Sequence, residues 1–561
     1  MDAQIRAGFS LTLQVSAELT FHKRDRWSCC QCQLSSGSQT MVEFVAAAGP
    51  GLRAAHRRRS YCFDRSRAKV NGRIGIVRMN LDATRSAQGP YVEVSLPLLL
   101  VALLSGCAVG PNYQRPSLDA PAIFRSQDGA VQQASMADLP WWEVFKDATL
   151  KELITSALVN NYDLGIAVSR IEQARAIEAQ VRSQLFPQFD YQFEVSGGRN
   201  SSLRAPAPGL EGTRGSALGL LNAAWELDLW GRIRRADEAA RAQILANEEG
   251  RRGVMLSLVS EVAQAYFELL QLDLLREIAQ RTTQSFGESL WMFRLRFESG
   301  VASILETARA EASLASTAAN VPELERLIVI KENQISVLLG RNPGPITRNT
   351  ALLDQQAPPD IPAGLPSLLL ERRPDVRQAE QQLIAANARI GVAIAQFFPT
   401  LDLTAFLGRV SPELSAITSG RGNTWSAATS LAGPIFQGGR LYGQYEQSRA
   451  ESEEARLRYQ QTALNAFQEV SNALISRQKL DEVRAEQARA VKALQDAVWF
   501  STQRYKAGFS NYFEVLEAQQ QLYPAENALA QTQLNQLLVV VQLYQSLGGG
   551  WNLADDQWTT P

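Results

Sequence analysis

The chain contains one unit twice, and this duplication restricts its fold more than any other feature. The hexapeptide Leu185–Asp190 recurs with conservative changes as Phe397–Asp402. Three further pairs of motifs share a spacing slightly shorter than that of the hexapeptides: Trp230–Arg232 and Gly438–Arg440, Arg296–Gly300 and Arg504–Gly508, Leu339–Gly340 and Leu547–Gly548. Such a shared spacing predicts two copies of a unit of roughly 208 residues.

The two copies are placed at 145–340 and 367–550, with a proline-rich connector at 341–366 and a tail at 551–561. Both have the same predicted order of elements: helix, strand, strand, long helix, helix. The fold class expected from this order is mainly helical with a separate β part.

The predicted strands have one apolar and one polar face. In the first strand every second residue is apolar: Phe189, Tyr191, Phe193, Val195. The other three strands alternate at 221–229, 401–407 and 425–431, and Gly197–Gly215 and Ser411–Gly422 are the predicted connections. Strands of about ten residues with two such faces are typical of transmembrane β-barrels. A soluble two-sheet sandwich alternates in the same way and stays open as the alternative.

A long helix follows each strand pair. Residues from Gly231 to about Arg281, and again from Leu441 to about Gln487, lack proline and place apolar residues at helical spacing. Fifty helical residues span about 75 Å, a length that favours coiled-coil-like packing over a globular helix. A solvated helical stalk is the alternative. Two further helices are expected to end at Gly300 and Gly508, because glycine accepts the left-handed conformation.

Four strands cannot close a barrel, which needs about eight. An open edge would leave backbone groups unpaired in lipid. If the strands are transmembrane, several chains must share one barrel: two chains supply eight strands and three supply twelve. A lumen lined by polar side chains needs more strands than the smallest barrel has, which favours three or more chains.

The apolar run Leu96–Leu103 ends in Leu104-Ser105-Gly106-Cys107, which looks like a bacterial lipobox. The run is too short to cross a bilayer, which takes roughly 20 residues. Translation from Met79 would give a signal peptide at 79–106, a lipidated Cys107 as first mature residue, and an anchor segment at 107–144. The alternative is a buried apolar segment that ends in cysteine, although Gly110-Pro111 is a poor continuation of a packed helix.

Residues 1–78 differ in composition from the rest of the chain. They carry a net charge of +8, both histidines and four of the five cysteines. We interpret them as a start-site artefact or a disordered extension. Cys29, Cys30 and Cys32 are the alternative metal ligands, but no second pair stands at zinc spacing.

The predicted mature chain excludes several classes of function. It has no histidine and no cysteine except Cys107, which removes Ser-His-Asp and Cys-His catalysis, His and Cys metal sites, and internal disulfides. Its net charge near −8 is unlike that of a nucleic-acid-binding protein. We therefore predict no enzyme activity, no cofactor and no nucleic-acid partner. A hydrolase with paired carboxylates is the remaining enzymatic alternative.

A series of motifs resembles the TolC-like family of outer-membrane efflux factors, in its lipoprotein (NodT-type) branch that serves resistance–nodulation–division pumps. They occur in order from Cys107 to about Trp551: Cys107–Tyr113, Trp141-Trp142, Trp225–Gly231, Leu365–Ser367, Glu371–Arg377, Ala385–Gly391 and Phe397–Pro399.

This resemblance implies a passive exit duct for drugs and hence multidrug resistance. It implies a homotrimer in which long helices form an α-barrel across the periplasm and continue into a shared twelve-stranded β-barrel, four strands from each chain. The implied partners are a periplasmic adaptor (membrane fusion) protein, an inner-membrane pump and outer-membrane lipid. Ala108 after the cysteine fits sorting to the outer membrane. A type I protein secretion duct and a non-pore scaffold lipoprotein are the alternatives.

The family also implies a closed aperture ringed by acidic residues where the long helices turn back. The repeat places these turns near Arg276–Gly287 and Asp481–Asp496, and Asp496 is the candidate residue. The family's acidic residue can instead align with Gln495, and a solvated helix charge is the alternative. Three carboxylates in a ring would favour cations.

Overall fold

The structure is a computed structural model that describes residues 108–125, 135–200, 212–355, 364–412, 414, 417–418 and 420–559. Cys107, the predicted signal peptide and residues 1–78 lie outside the described residues. All the described residues belong to one unit, which begins at Gln88.

Each half of the chain contributes two strands and two very long helices. The first half contains α1 (Trp141–Val144), α2 (Ala148–Asn160), α3 (Tyr162–Ser183), β1 (Gln188–Asn200), β2 (Gly212–Leu227), α4 (Arg232–Glu298) and α5 (Ile304–Leu338). The second half contains α6 (Pro366–Arg372), α7 (Pro374–Ala395), β3 (Thr400–Ser411), β4 (Asn423–Ala432), α8 (Arg440–Lys506) and α9 (Tyr512–Ser546). Short 3-10 turns lie at Met136–Asp138, Leu352–Asp354, Gly420–Gly422 and Gln557–Thr559.

The two halves repeat one another element by element. Helices α3 and α7 each have 22 residues. Helices α4 and α8 each have 67 residues, and α5 and α9 each have 35. The spacing between corresponding positions is longer before the strand connections, from α3 to α7, than after them, from α4 to α8. It changes there because 13 residues separate the paired Arg409 and Asn423 in the second hairpin, whereas 17 separate their counterparts Gly197 and Gly215 in the first.

The strands form one antiparallel sheet in the order β1-β2-β3-β4. Tyr191 lies opposite Leu221, which lies opposite Leu407, which lies opposite Trp425. This row and its odd-numbered neighbours form one face, largely apolar. The next row is Asp190, Asn222, Phe406, Ser426, on the opposite face. The predicted alternation of faces is confirmed, with Leu218, Leu220, Phe406 and Val410 as apolar exceptions on the polar face.

The β1–β2 connection is shorter than predicted. Strand β1 runs to Asn200 and β2 begins at Gly212, so parts of Gly197–Gly215 belong to the ladder. Glycine is poor in strands by propensity, but the backbone groups of Gly197 and Gly215 still pair across the hairpin.

The predicted ends of the long helices are wrong. Helix α4 continues to Glu298 and α8 to Lys506, and each is about 100 Å long. Neither turns back near Arg276–Gly287 or Asp481–Asp496. The first continues because Phe286, Leu290 and Phe293 keep burying apolar surface at helical spacing.

The glycine stops are correct, although they end the long helices rather than two further ones. Gly300 and Gly508 have φ of +76° and +78°, the left-handed conformation that closes a helix. The turns to α5 and α9 follow immediately.

The main core lies where α1, α2 and the C-terminal residues pack around the middle of the long helices. Its largest buried side chains are Trp141, Tyr266, Tyr459 and Tyr544. Trp141 Nε1 donates to the carbonyl of Trp558 at 3.2 Å, which fixes the C-terminal turn to α1. The packing of α1, α2 and the C-terminal residues therefore holds α4, α8 and α9 together at the middle of their length.

Candidate functional site

The apolar face of the sheet is exposed in a single chain. Its large side chains include Phe189, Tyr191, Phe193, Trp425 and Leu431, which are 65–87% exposed. A contiguous apolar patch of this kind marks a surface that contacts a partner or lipid. The opposite face carries mainly Gln, Asp, Glu, Asn, Ser and Thr side chains, so the two faces of the sheet suit different environments.

Tryptophans mark the boundary between the sheet and the helices. The Trp230 ring stacks on Phe398 with centroids 4.6 Å apart, and its Nε1 donates to the carbonyl of Pro399 at 2.7 Å. Trp225 Nε1 donates to the carbonyl of Leu185 at 3.0 Å. Indoles with an apolar body and a hydrogen-bonded N–H are typical of membrane–water interfaces.

The start of α4 is fixed directly below this boundary. Gly231 is the N-cap residue, with φ of +77°. Because glycine has no side chain, it cannot cap the helix itself. The carboxylate of Asp228 instead accepts from the backbone N–H of Ile233 at 3.1 Å and of Arg234 at 2.9 Å. A negative group at a helix N-terminus is favoured by the helix dipole. The sheet and the long helix therefore join without a flexible linker.

The N-terminal strap, residues 108–125, runs along α4 and α7. The backbone N–H of Val109 donates to the carbonyl of Trp230 at 3.0 Å. Arg235, itself 5% exposed, donates to the carbonyl of Val109 at 3.2 Å and to Asn112 Oδ1 at 2.8 Å. A Cβ on Gly110 would lie 2.5 Å from the Cα of Gly391, so this close approach requires glycine. The strap is therefore held against α4 and α7 within a few residues of Ala108, its first described residue.

Farther along, the strap is tied to α7 by a second polar cluster. Tyr113 donates from its hydroxyl to Glu380 at 3.0 Å, and Arg115 pairs with the same carboxylate at 3.0 Å. Burial, followed by the charge of Glu380, raises the pKa of Tyr113. The phenol stays neutral and keeps its proton for this bond.

The Glu371–Arg377 motif has a structural explanation. Arg373 precedes α7 and is 8% exposed. Its guanidinium donates to both carboxylate oxygens of Asp375 at 2.9 and 2.6 Å, to Glu469 of α8 at 2.6 Å, and to the carbonyl of Ser546 at 3.0 Å. Burial lowers the pKa of the guanidinium, but the bonds to Asp375 and Glu469 outweigh this, so its pKa is raised. Arg373 joins α7, α8 and the end of α9.

A second apolar cluster lies near the far turns. Phe293 of α4 packs against Tyr512 with ring centroids 3.7 Å apart, and Arg296 lies over the Tyr505 ring at 4.6 Å. Beyond this cluster the turns expose large apolar side chains: Val301, Ile304, Leu305, Phe509 and Phe513. These turns therefore combine a packed base with an apolar exposed tip.

Asp496 lies within α8, before its end at Lys506, rather than at a turn. It is half-exposed and pairs with Lys492 at 2.8 Å. The neighbouring Gln495 donates to Glu526 at 3.3 Å, and Glu526, 9% exposed, pairs with Arg281 at 2.9 Å. The aperture role of Asp496 stays a prediction. The pair between the buried Glu526 and the exposed Arg281 was missed, because nothing in the sequence links positions so far apart.

Cys107, the predicted lipidation site, lies outside the described residues. Within the described ranges, no three His, Cys, Asp or Glu residues cluster in a way that could hold a metal. One described helix, α4, has the length and an apolar window suited to a membrane span, but 67% of that window is buried within the protein.

Comparison with known proteins gives a consistent result. A sequence profile described as "Outer membrane efflux protein" matches residues 153–341 and again 365–549. The toluene efflux pump outer membrane protein TtgC of Pseudomonas putida is 34% identical over 463 residues, covering 80% of this chain and 94% of the relative. The cation efflux system protein CusC of Escherichia coli K12 is 32% identical over 457 residues, covering 81% and 99%.

Solved structures of the same kind superpose on the chain. The outer-membrane channel OprN is 31% identical, with a TM-score of 0.73, and the match covers 80% of this chain and all of that one. The open state of the Neisseria gonorrhoeae MtrE outer membrane channel is 30% identical, with a TM-score of 0.71, and covers 79% and 99%.

Proposed function

This chain belongs to the outer membrane efflux protein family, and we propose that it is the exit duct of a tripartite efflux pump, which carries drugs or other small molecules passively across the periplasm and the outer membrane. One observation carries this proposal. A sheet with one apolar and one polar face continues, through a tryptophan-marked boundary, into helices about 100 Å long. The family is one of channel proteins and not of enzymes.

The sheet supports an assembly of several chains. In one chain β1 and β4 are its two edges, and backbone groups at an edge must be paired in lipid. Closure by three copies gives the twelve-stranded barrel of our proposal, because the eight strands of two copies would enclose an interior that side chains fill.

The helices support the same assembly. Helix α7 packs against both α4 and α8, whereas α3, its counterpart in the first half, packs against α4. Leu256 of α4 is 5% exposed, but its counterpart Leu464 in α8 is 66% exposed. We propose that α3 of the partner subunit covers the surface around Leu464, and that three chains so joined form a homotrimeric α-barrel.

The strap supports a lipid anchor at Cys107. Val109, two positions after Cys107 in the chain, donates its backbone N–H to the carbonyl of Trp230 at the tryptophan-marked boundary. Acyl chains on Cys107 would enter the bilayer next to the boundary that the tryptophans mark. The protein would thus be held in the outer membrane both by its barrel and by lipid.

The exposed apolar turns at Val301–Leu305 and Phe509–Phe513 are the proposed docking site for a periplasmic adaptor, which would join the duct to an inner-membrane pump. Relatives are named for toluene and for cation efflux. The described residues support a duct for small molecules without fixing its cargo, because a polar lumen selects little.

Planar-bilayer conductance of the purified protein, with crosslinking for subunit number on the same sample, tests the proposal. Discrete conductance steps from a trimer are expected. A monomer without conductance would overturn the proposal.

A matched pair of variants tests the two faces. Phe193→Arg lies on the apolar face and should cost about 2–4 kcal/mol and reduce assembly in the membrane. Gln192→Arg, at the adjacent position on the polar face, should assemble and shift ion selectivity towards anions. Equal tolerance of the two arginines would show that the sheet does not face lipid.

A further inference from the structure

We propose a specific register between neighbouring chains: β4 pairs antiparallel with β1 of the next copy so that Leu431 lies directly opposite Phe193 of the partner subunit. Thr429 then lies opposite Val195 of the partner subunit. This inference rests on the shared barrel proposed above and adds the residue-level contact that closes it.

The register follows from the duplication. Within one chain, the first half meets the second half at the β2–β3 junction, where Ala223 lies opposite Ala405. In a closed ring, the second half must meet the first half of the next copy at a β4–β1 junction. The spacing that relates α4 to α8 makes Leu431 the counterpart of Ala223. The longer spacing that relates α3 to α7 makes Phe193 the counterpart of Ala405.

The two spacings hold within the sheet as well as in the helices. Gln188 lies opposite Ala224 in the first hairpin, and their counterparts Thr400 and Ala432 lie opposite each other in the second. The hairpins are therefore equivalent residue by residue from these pairs up to Gly197–Gly215 and Arg409–Asn423, beyond which the second hairpin has four fewer residues. Translating the observed β2–β3 register to the outer edges needs no further adjustment.

The faces of the sheet restrict the register independently. Leu431 and Phe193 are 69% and 65% exposed, and both lie on the apolar face. A slip by one residue would place Phe193 of the partner subunit opposite Ser430 and turn one apolar set into the lumen. Slips by an even number of residues keep both faces, and the smallest of them place Leu431 opposite Tyr191 or Val195 of the partner subunit. The duplication selects Phe193 between them.

Exposed side chains at the ends of both edges fit the same register. Inside the chain the junction is closed by Trp230 stacked on Phe398. Their counterparts are Gly438, which has no side chain, and Phe186, which is 59% exposed. Just beyond the end of β4, Ile435 is fully exposed. The register places it opposite Phe189 of the partner subunit. Apolar side chains left uncovered on both edges would then cover one another.

Cysteine pairs in the full chain test the register. Leu431→Cys is combined in turn with Tyr191→Cys, Phe193→Cys and Val195→Cys, and each membrane preparation is oxidised briefly and separated without reductant. The two edges of one sheet lie about 14 Å apart, three strand spacings, so a disulfide within one chain is excluded. Each single-cysteine variant gives the background of the natural cysteines. All four positions lie on the exposed apolar face, so native trimer yield serves as the folding control.

We expect the Phe193→Cys pair to crosslink at least several-fold faster than the other two. Residues directly opposite have Cβ atoms about 4.5–5.5 Å apart, whereas diagonal neighbours are about 7–8 Å apart. Faster crosslinking with Tyr191→Cys or Val195→Cys would overturn the register while leaving the shared barrel intact. A native trimer without crosslinks in any pair would also overturn it. Absence of both trimer and crosslinks would refute the shared barrel itself.

Discussion

Removal of the Arg373 guanidinium should weaken the joint between three helices. We consider Arg373→Met, which keeps the length of the side chain and loses its four hydrogen bonds. The carboxylates of Asp375 and Glu469 are 46% and 53% exposed, so water can replace the guanidinium there. Each of these exposed pairs contributes only about 0.5–1 kcal/mol.

The carbonyl of Ser546 sets the larger part of the cost. Ser546 is 5% exposed, so its carbonyl would lose a charged donor where water has little access. An unsatisfied buried acceptor costs about 1–3 kcal/mol. The expected loss in the free energy of unfolding for Arg373→Met is therefore about 2–5 kcal/mol. Arg373→Lys should lose less, because an ammonium group can still reach one of the acceptors.

The measurement is guanidinium-induced unfolding of the detergent-solubilised protein, followed by circular dichroism of the helices. Arg389→Met is the matched control, since Arg389 is exposed on the same helix; it should change the unfolding free energy by less than about 0.5 kcal/mol. A loss for Arg373→Met no larger than that of the control would refute the reasoning. So would a changed conductance of the assembled variant, since that would place Arg373 in the transport path.

Three further predictions concern the strap, the anchor and a buried acid. Arg235→Met should expose the strap to limited proteolysis near Gly110, whereas loss of the exposed Arg241 side chain should not. Cys107→Ser should abolish palmitate incorporation while trimers still form; unchanged labelling would remove the lipid anchor from the proposal. Burial is the main cause that raises the pKa of Glu249 above 4.5, even with Arg377 and Arg252 beside it. Because the folded chain favours the protonated acid, stability should fall as pH rises through 4.5 and the raised pKa, and Glu249→Gln should flatten this slope of unfolding midpoint against pH.

The sequence predicted those parts of the fold that depend on local patterns. Strict alternation at Phe189–Val195 defined both faces of the sheet, because one slip would expose the wrong set. Gly300 and Gly508 were found because only a left-handed residue closes these helices. The sequence predicted ends for α4 and α8 that come too early. The apolar contacts that extend α4 to its true end join Phe286 and Phe293 to the start of α9. That contact joins positions in opposite halves of the chain and leaves no local pattern.

The residues of the candidate site show the same contrast between local patterns, which the sequence reveals, and long-range contacts, which it does not. The Glu371–Arg377 motif was visible, but its partners Glu469 and Ser546 lie on other helices. Likewise Arg235 is one arginine among many until the strap is seen against it. Long-range polar contacts of this kind depend on the packing of helices and cannot be inferred from spacing along the chain.

The equal lengths of the paired helices restrict how this protein can change during evolution. Helices α4 and α8 each have 67 residues, and α5 and α9 each have 35. Loss of two helical turns from α4 alone would draw its far end back by about 10 Å relative to that of α8. The apolar cluster between Phe293 and Tyr512 would then be pulled apart. Insertions and deletions in the long helices are therefore expected to be tolerated only when they arise in both halves at matching positions, so the two copies must lengthen or shorten together.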